Sequence, residues 1–454
     1  MFLKIWKNLE KLRPALLFTL LVTVLDALLS AFSISLILPL TNAALGGVGD
    51  ETWITQFVPP EFQTETSFLL YFLGGVLFLK LFVSILRVAL SIHFTENIRL
   101  NWQLLLSHKF IMLPYIVIAK EKKGRLVNDL IYEADNAASF IFNYLNYLAQ
   151  LLIVGAILTL LITVNGKWLT ISLLIFISVW LLMGRPYFHL ARTLGKRGIR
   201  LNQDLNSALF ESLNAIKDIK ISQSESFQIN KIDLLCSENN SNRKSKKIAH
   251  AVPALGRELI LAIAVFVLAL ILPSDLGQVK SVMPQVALFI AAAARLTANA
   301  STIIALRFKI TSQFPSFKLI LKRLNEESLL EEDLEKGKVA DHLEARISIE
   351  NLYFRYNAEE PVLEGLSMQI EKGQTVCIRG ASGSGKTTLI DILTRLYEPT
   401  SGVIKNGDTP ISEYSLASWR RMIGYVPQDP VMHYGTLKDN ITLGNKNITE
   451  KRLR

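Results

Sequence analysis

The chain has 454 residues, half of them apolar, with a net charge of +10 and two cysteines. That length excludes a single ordinary soluble domain, and a half-apolar composition with positive mean hydropathy points first to a membrane protein. Cys236 and Cys377 stand far apart in sequence, with neither metal-ligand spacing nor a disulfide framework, and read as free thiols in a reducing compartment.

In residues 1–14, Phe2, Ile5, Trp6, Leu9 and Leu12 repeat at helical spacing opposite Lys4, Lys7 and Lys11. This fits a helix lying in the membrane interface, or equally the cytoplasmic start of the first span. A spanning helix needs about 20 mostly apolar residues. Six runs qualify: about Ala15–Leu40, Phe68–Ile92, Ala137–Val164, Trp168–Gly184, Ile248–Leu272 and Val282–Leu306. The first is too long for the core of a secretory leader and lacks a small-residue cleavage site, so no cleaved leader is expected.

Loop charge sets the orientation. Lys120, Lys122, Lys123 and Arg125 lie between the second and third runs, and many basic residues from Arg185 to Lys247 between the fourth and fifth. The loop from Gly46 to Ser67 carries only acids: Asp50, Glu51, Glu61 and Glu65. The positive-inside rule places the N-terminus, both long loops and the C-terminal half in the cytoplasm of a multi-pass membrane protein. Basic residues that follow topology rather than form one basic domain exclude nucleic acid as a partner.

Charges inside spans cost free energy and mark interiors or cavities. Asp26, Lys80, Arg87 and Arg295 are such charges. Lys80 and Arg87 share a helix face, which lets Asp26 pair with one of them, while Arg87, near a helix end, equally suits snorkelling to the interface. Arg295, near the middle of the sixth run, reads either as a contact for an anionic substrate or as an interior pairing residue.

The acidic run of residues 323–344 reads as a solvated linker. After it, Ile347–Phe354, Pro361–Ile370 and Thr375–Ile378 are expected strands. Then comes GASGSGKT, Gly380 to Thr387, followed by the apolar-periodic LIDILTRLY. A strand, a glycine loop and a helix in this order form a phosphate-binding loop. Glycines let N–H groups turn inward around phosphate oxygens, and the helix N-terminus adds partial positive charge. Lys386 reaches the β and γ phosphates, and the Thr387 hydroxyl is suited to Mg²⁺.

The stretch Ile347–Leu443 resembles the nucleotide-binding domain of ATP-binding-cassette (ABC) transporters. The six preceding runs resemble the exporter-type branch of that family. The resemblance implies a six-span α-helical transmembrane domain (residues 15–322) followed by a partial α/β P-loop domain (345–454). It implies ATP and Mg²⁺ as ligands. Gly380, Ser382, Gly383, Ser384, Gly385, Lys386, Thr387 and Thr388 would hold the nucleotide. Tyr356, with Tyr353 as a substitute, would stack on adenine. Gln428, in the string Ile423–Ile441, would approach the metal beside Thr387 and act in catalysis. Leu113–Leu130 and Ala208–Ile221 resemble the cytoplasmic loops that carry short coupling helices. Where this family often has a proline in its sixth helix, this chain has Ala298, which weakens any transfer of function onto Arg295.

The family's serine-glycine signature, Walker B aspartate, catalytic glutamate and switch histidine are not found in the sequence. The expectation is therefore a C-terminally incomplete half-transporter that binds membrane lipid and a second half, homo- or heterodimeric. It would belong to an exporter or lipid flippase but not turn over ATP alone. The alternative is a non-transporting, ATP-binding regulatory membrane protein or a degenerate fragment. The transported substrate is not legible, although Leu25–Leu40 faintly resembles transporters of lipid-linked oligosaccharides.

Overall fold

Helices dominate the first part of the chain because hydrocarbon leaves a backbone amide no partner but its own helix. The computed structural model describes residues 13–44, 66–164, 185–271, 276–325, 332–357, 360–428, 430–444 and 448. They divide into two units, Met1–Leu113 with Ile118–Leu330, and Pro114–Val117 with Glu331–Arg454.

The helices in chain order are α1 (Arg13–Ser35), α2 (Ile37–Ala44), α3 (Thr66–Ile111), α4 (Tyr115–Lys120) and α5 (Lys123–Asn128). A π-helical turn, Asp129–Glu133, leads into α6 (Ala134–Val164). Then follow α7 (Arg185–Asn214), α8 (Ile216–Ile221), α9 (Glu225–Ile271) and α10 (Leu276–Asn325). Four stretches among the described residues are long and apolar enough to cross a membrane: Pro14–Ala44, Thr66–Ile111, Lys123–Ile162 and Met283–Asn325. They carry the expected first, second, third and sixth runs. The run Trp168–Gly184 and the helix expected within residues 1–12 lie outside the described residues. The fifth run falls in α9, with most of its side chains outside the described set.

Helix length exceeds what a bilayer needs. The 46 residues of α3 span about 69 Å, against a hydrocarbon thickness of about 30 Å. Its two ends are built differently. Phe78, Leu79, Phe82 and Ile85 are exposed, as lipid-facing residues should be. Further on, Phe94, Ile98, Trp102 and Leu106 repeat every fourth residue and bury one face against Phe140 and Phe317. The break between α1 and α2 has a local cause. The Ser30, Ser33 and Ser35 hydroxyls donate back to carbonyls of the preceding turn, and Pro39 removes a helix donor.

Two polar networks cross-link this bundle. In the membrane part, Arg87 Nε donates to Asp26 Oδ2 at 3.0 Å while Ser84 Oγ donates to Oδ1. Arg87 Nη1 continues to Asn146 Oδ1 at 2.9 Å, so α1, α3 and α6 share one network. Asp26 thus pairs with Arg87, one of the two partners the sequence allowed. In the part beyond the bilayer, buried Asp129 accepts from Arg323 Nε (3.1 Å) and Gln203 Nε2 (3.0 Å). Arg323 Nη1 also reaches Glu121 Oε1 at 3.0 Å. Asn206 Nδ2 donates to Asn128 Oδ1 at 2.9 Å, which ties α7 to α5.

The second unit centres on a four-stranded antiparallel sheet, β1 (Arg346–Arg355), β2 (Pro361–Glu371), β3 (Ser401–Asn406) and β4 (Thr409–Pro410), in the order β2-β1-β3-β4. Within β1 a bulge at Glu350 and Asn351 resets the alternation. Ile349, Leu352 and Phe354 can therefore all face the core. Three short helices, α11 (Lys386–Leu393), α12 (Leu416–Arg421) and α13 (Leu437–Thr442), complete this unit.

Two expectations are corrected here. Thr375–Ile378 is not a strand: residues 371–380 are exposed and 374–380 carry no ladder, because a strand exists only against a partner and none among the described residues pairs with it. The acidic run is not solvated throughout. Glu332 accepts a bidentate pair from Arg420 at 2.6 and 2.9 Å, and buried Ala340 donates its N–H to Ser418 Oγ.

The Asp26–Arg87 pair yields a prediction. Its side chains are only 4% and 12% exposed, so removing one partner strands a charge. Asp26→Leu should cost roughly 3–5 kcal/mol of stability. Asp26→Leu with Arg87→Met should recover most of it, read as unfolding in a mild-detergent thermal or SDS titration. A double variant no better than the single would show that the pair contributes only packing.

Candidate functional site

The first turn of a helix leaves amide donors without partners, so a glycine turn feeding a helix gathers N–H groups at one point. Gly380–Thr387 makes such a turn and α11 leaves from it, with Gly385 as its N-cap. Gly383 and Gly385 adopt φ of +83° and +84°. That left-handed region costs an L-residue about 1–2 kcal/mol. Gly385 has no room for a side chain either, since a Cβ would lie 2.9 Å from Leu363 Cδ2 and 3.1 Å from the Val362 carbonyl oxygen. A Cβ on Gly383 would meet nothing within 4 Å. The chain is therefore wedged against β2 at one glycine and open at the other.

Lys386 lies across this loop. Its Nζ donates to the carbonyls of Gly380 at 3.0 Å and Ala381 at 2.7 Å. No carboxylate pairs with it among the described residues, so its charge is held by dipoles alone. Ser382, Gly383, Ser384 and Thr387 are exposed around it. Buried Thr388 turns the other way, and its hydroxyl shares a 2.9 Å hydrogen bond with the Tyr356 hydroxyl. An ammonium, open amides and free hydroxyls on one rim form a receptor for a polyanion.

Tyr356 is 45% exposed. Its ring meets Phe354 and Tyr397 edge-on at 4.9 and 5.3 Å. Tyr353 is exposed as well, but it stands over Gly365 on β2. Sequence reading missed Tyr397, whose burial pushes its phenol above the usual range. Its only signal was an aromatic closing the apolar-periodic LIDILTRLY. Tyr115, which belongs to this unit, meets Tyr397 edge-on at 5.6 Å.

Lys386, Thr387 and exposed Gln428 line one cleft of about 770 Å³. Although Gln428 lies some forty residues beyond the loop, the fold returns it there. The Thr387 hydroxyl and the Gln428 side-chain oxygen are neutral oxygen donors of the kind Mg²⁺ accepts, so the residues present fit that ion. The cleft's other walls are apolar, including Ile378, Ile390, Trp419, Ile423 and Val426. Tyr356 is not part of this lining and reaches the loop through Thr388. Cys236 and Cys377 are both free and exposed, and no cluster of metal-ligating residues occurs among the described ones.

Comparison with known proteins adds the following. Residues 16–276 match the family described as ABC transporter transmembrane region, and residues 363–453 match the family described as ABC transporter. The chain is 28% identical to an uncharacterized ABC transporter ATP-binding protein, YfiB of Bacillus subtilis (strain 168), over 83% of its own length and 65% of the relative's. It is 25% identical to the ATP-dependent lipid A-core flippase of Saccharophagus degradans, over 79% of itself and 60% of that protein. The chain thus spans less than two thirds of these relatives' lengths. Its fold is like that of a bacterial Atm1-family ABC exporter with ATP bound, with a TM-score of 0.75 at 16% identity over 97% of this chain and 75% of the other.

The two glycines separate in a prediction. Gly383→Ala should lower the stability of the second unit by about 1–2 kcal/mol through backbone strain alone. Gly385→Ala should lose distinctly more, because the β2 contact adds to the strain. Differential scanning fluorimetry of the detergent-solubilised chain reads this, and an equal loss at both would rule out the wedge.

Proposed function

This chain belongs to the ABC transporter family, and we propose that it works as one half of an ATP-driven exporter or lipid flippase. It is a multi-pass integral membrane protein with its nucleotide-binding part on the cytoplasmic side. The observation that carries the reading is a phosphate-receptive glycine loop, built around an uncompensated Lys386, in the same chain as membrane-crossing helices.

On this reading the amides of Gly380, Ser382, Gly383, Ser384 and Gly385 take the phosphate oxygens, with Thr388 closing the turn. Lys386 exchanges its two loop carbonyls for the β and γ phosphates. Thr387 and Gln428 hold Mg²⁺, which withdraws charge from those phosphates when bound. Tyr356, half-exposed and tied to the loop through Thr388, offers adenine a ring to stack on. Gln428, which lines the same cleft as Lys386, senses the γ phosphate. Two such halves, either two copies or a copy with a related chain, form the transport path. The lipid A-core flippase among its relatives supports a lipid or lipid-linked cargo.

ATP titration of the chain in nanodiscs tests the site. Lys386→Ala removes charge-assisted hydrogen bonds and should weaken binding by roughly tenfold or more. Tyr356→Phe should stay within about twofold of the unsubstituted chain, while Tyr356→Ala loses stacking worth about 1–3 kcal/mol. Transport coupling has its own readout. Saturating ATP–Mg²⁺ should change amide hydrogen exchange in residues 113–130 and 208–221, and should not do so in Lys386→Ala. ATP bound with those loops unmoved would favour a non-transporting regulatory protein instead.

A further inference from the structure

A helix leaves carbonyls without partners at its C-terminus, as it leaves amides without partners at its N-terminus. At the end of α11 those carbonyls are taken by two side chains of α12. Trp419 Nε1 donates to the Leu393 carbonyl at 2.8 Å. Arg420 donates to the Thr394 carbonyl from Nε at 3.2 Å and to the Arg395 carbonyl from Nη2 at 2.7 Å. A cation at this point also suits the negative end of the helix dipole. The same guanidinium grips Glu332 with both terminal nitrogens, at 2.6 and 2.9 Å. Two parallel bonds to one carboxylate need the planar fork of an arginine. Arg420 and Glu332 are 27% and 20% exposed, so water and salt screen the pair only in part.

Glu332 stands on the linker that follows α10. Beyond it the linker is stitched along α12 and the residues before that helix. The Ala417 N–H donates to the Leu334 carbonyl at 2.9 Å, the Lys338 N–H to the Glu413 carbonyl at 2.8 Å, and the Ser415 N–H to the Lys338 carbonyl at 2.8 Å. Gly337, with φ of +122°, allows this approach, since a Cβ there would lie 2.7 Å from the Glu413 carbonyl oxygen. The linker thus moves with α12, and α12 with the end of α11. Helix α11 has only eight residues, about 12 Å, which is too short to bend appreciably. Amides drawn onto phosphate at its N-terminus therefore displace the carbonyls at its C-terminus. We propose that Arg420 is a positioning residue that passes occupancy of the phosphate loop along α11 to Glu332, and so to the end of α10. This deepens the exporter reading by giving its ATP site a route to a membrane-crossing helix apart from the two cytoplasmic loops. It rests on that reading for ATP binding at the loop.

The full chain in nanodiscs is saturated with ATP–Mg²⁺ or with tripolyphosphate–Mg²⁺, and amide hydrogen exchange is followed in residues 318–325, 113–130 and 208–221. Both ligands should slow or speed exchange in 318–325 by about twofold or more, because the signal enters through phosphate. Glu332→Gln keeps the shape of the side chain and leaves Arg420 on its two carbonyls. It should bind ATP within about twofold of the unsubstituted chain and respond as before in 113–130 and 208–221, yet lose the change in 318–325. Arg420→Lys should lose that change too, because a point charge cannot span two carbonyls and a carboxylate. Glu332→Asp, which restores the carboxylate, should recover part of it. A response in 318–325 that survives Glu332→Gln would overturn the route. Loss of all three responses together would overturn it as well, by marking a merely structural role. A response to ATP but not to tripolyphosphate would move the signal to the base and overturn the phosphate origin. Failure of the unsubstituted chain to bind ATP would remove the exporter reading along with the route, whereas ATP binding that moves both loops and leaves 318–325 unchanged would remove the route alone.

Discussion

Hydrocarbon cannot solvate a charge or a peptide group, and most of the first unit follows from that one constraint. Backbone groups entering it close their hydrogen bonds within the helix, which gives the long unbroken runs of α3, α6 and α10. Charges entering it must be matched. An unmatched one at mid-bilayer costs roughly 2.5–3.5 kcal/mol on insertion scales. Asp26 meets the constraint through Arg87 and Ser84, contributed by another helix, so the pair also fixes how α1 and α3 face each other. Asn146 then orients the guanidinium from α6. A requirement of charge neutrality thereby becomes a requirement on helix packing.

Beyond the bilayer the same helices are held by a different chemistry. There the chain buries carboxylates and amides in quantity, with Asp129 and Glu133 fully enclosed. Burial pushes both carboxyls above the usual range, while Arg323 at Asp129, and Ser316 and Asn128 at Glu133, work against that shift. The π turn at Asp129–Glu133 inserts an extra residue into the helix, and a displaced turn of this kind can aim neighbouring polar side chains inward together. Buried networks of this type specify one arrangement of the helices that share them.

What could be read from the sequence divides along the same line between local and distant causes. Apolar runs and the glycine loop are local, and were legible where the described residues allow a comparison: the first, second, third and sixth runs from their length, the loop from residues whose types the phosphate chemistry dictates. A cation partner for Asp26 was one of the readings the sequence left open, and choosing Arg87 over Lys80, or over a snorkelling Arg87, needed the rotation of one helix against another, which no spacing encodes. Thr375–Ile378 misled because strand pattern is local while strand formation is not. Its valine and isoleucine alternate as a strand should, yet no neighbouring strand among the described residues completes the ladder. The acidic run misled in the opposite sense, since Arg420, 88 residues beyond Glu332, and Ser418, 78 residues beyond Ala340, decide where those two residues lie. Gln428 was placed by family resemblance alone, and its position on the cleft that Lys386 lines depends on the whole course of the chain between them.

Lys386 and Arg87 illustrate one physical rule in two solvents. A cation that a fold leaves without a carboxylate has been kept available, because pairing it internally would be the cheaper arrangement wherever a carboxylate can reach. In water the cost of keeping it free is small, and two carbonyl dipoles suffice to hold Lys386 above its loop. In hydrocarbon the cost is larger, and Arg87 shows that this chain does pair a membrane cation when an acid is within reach.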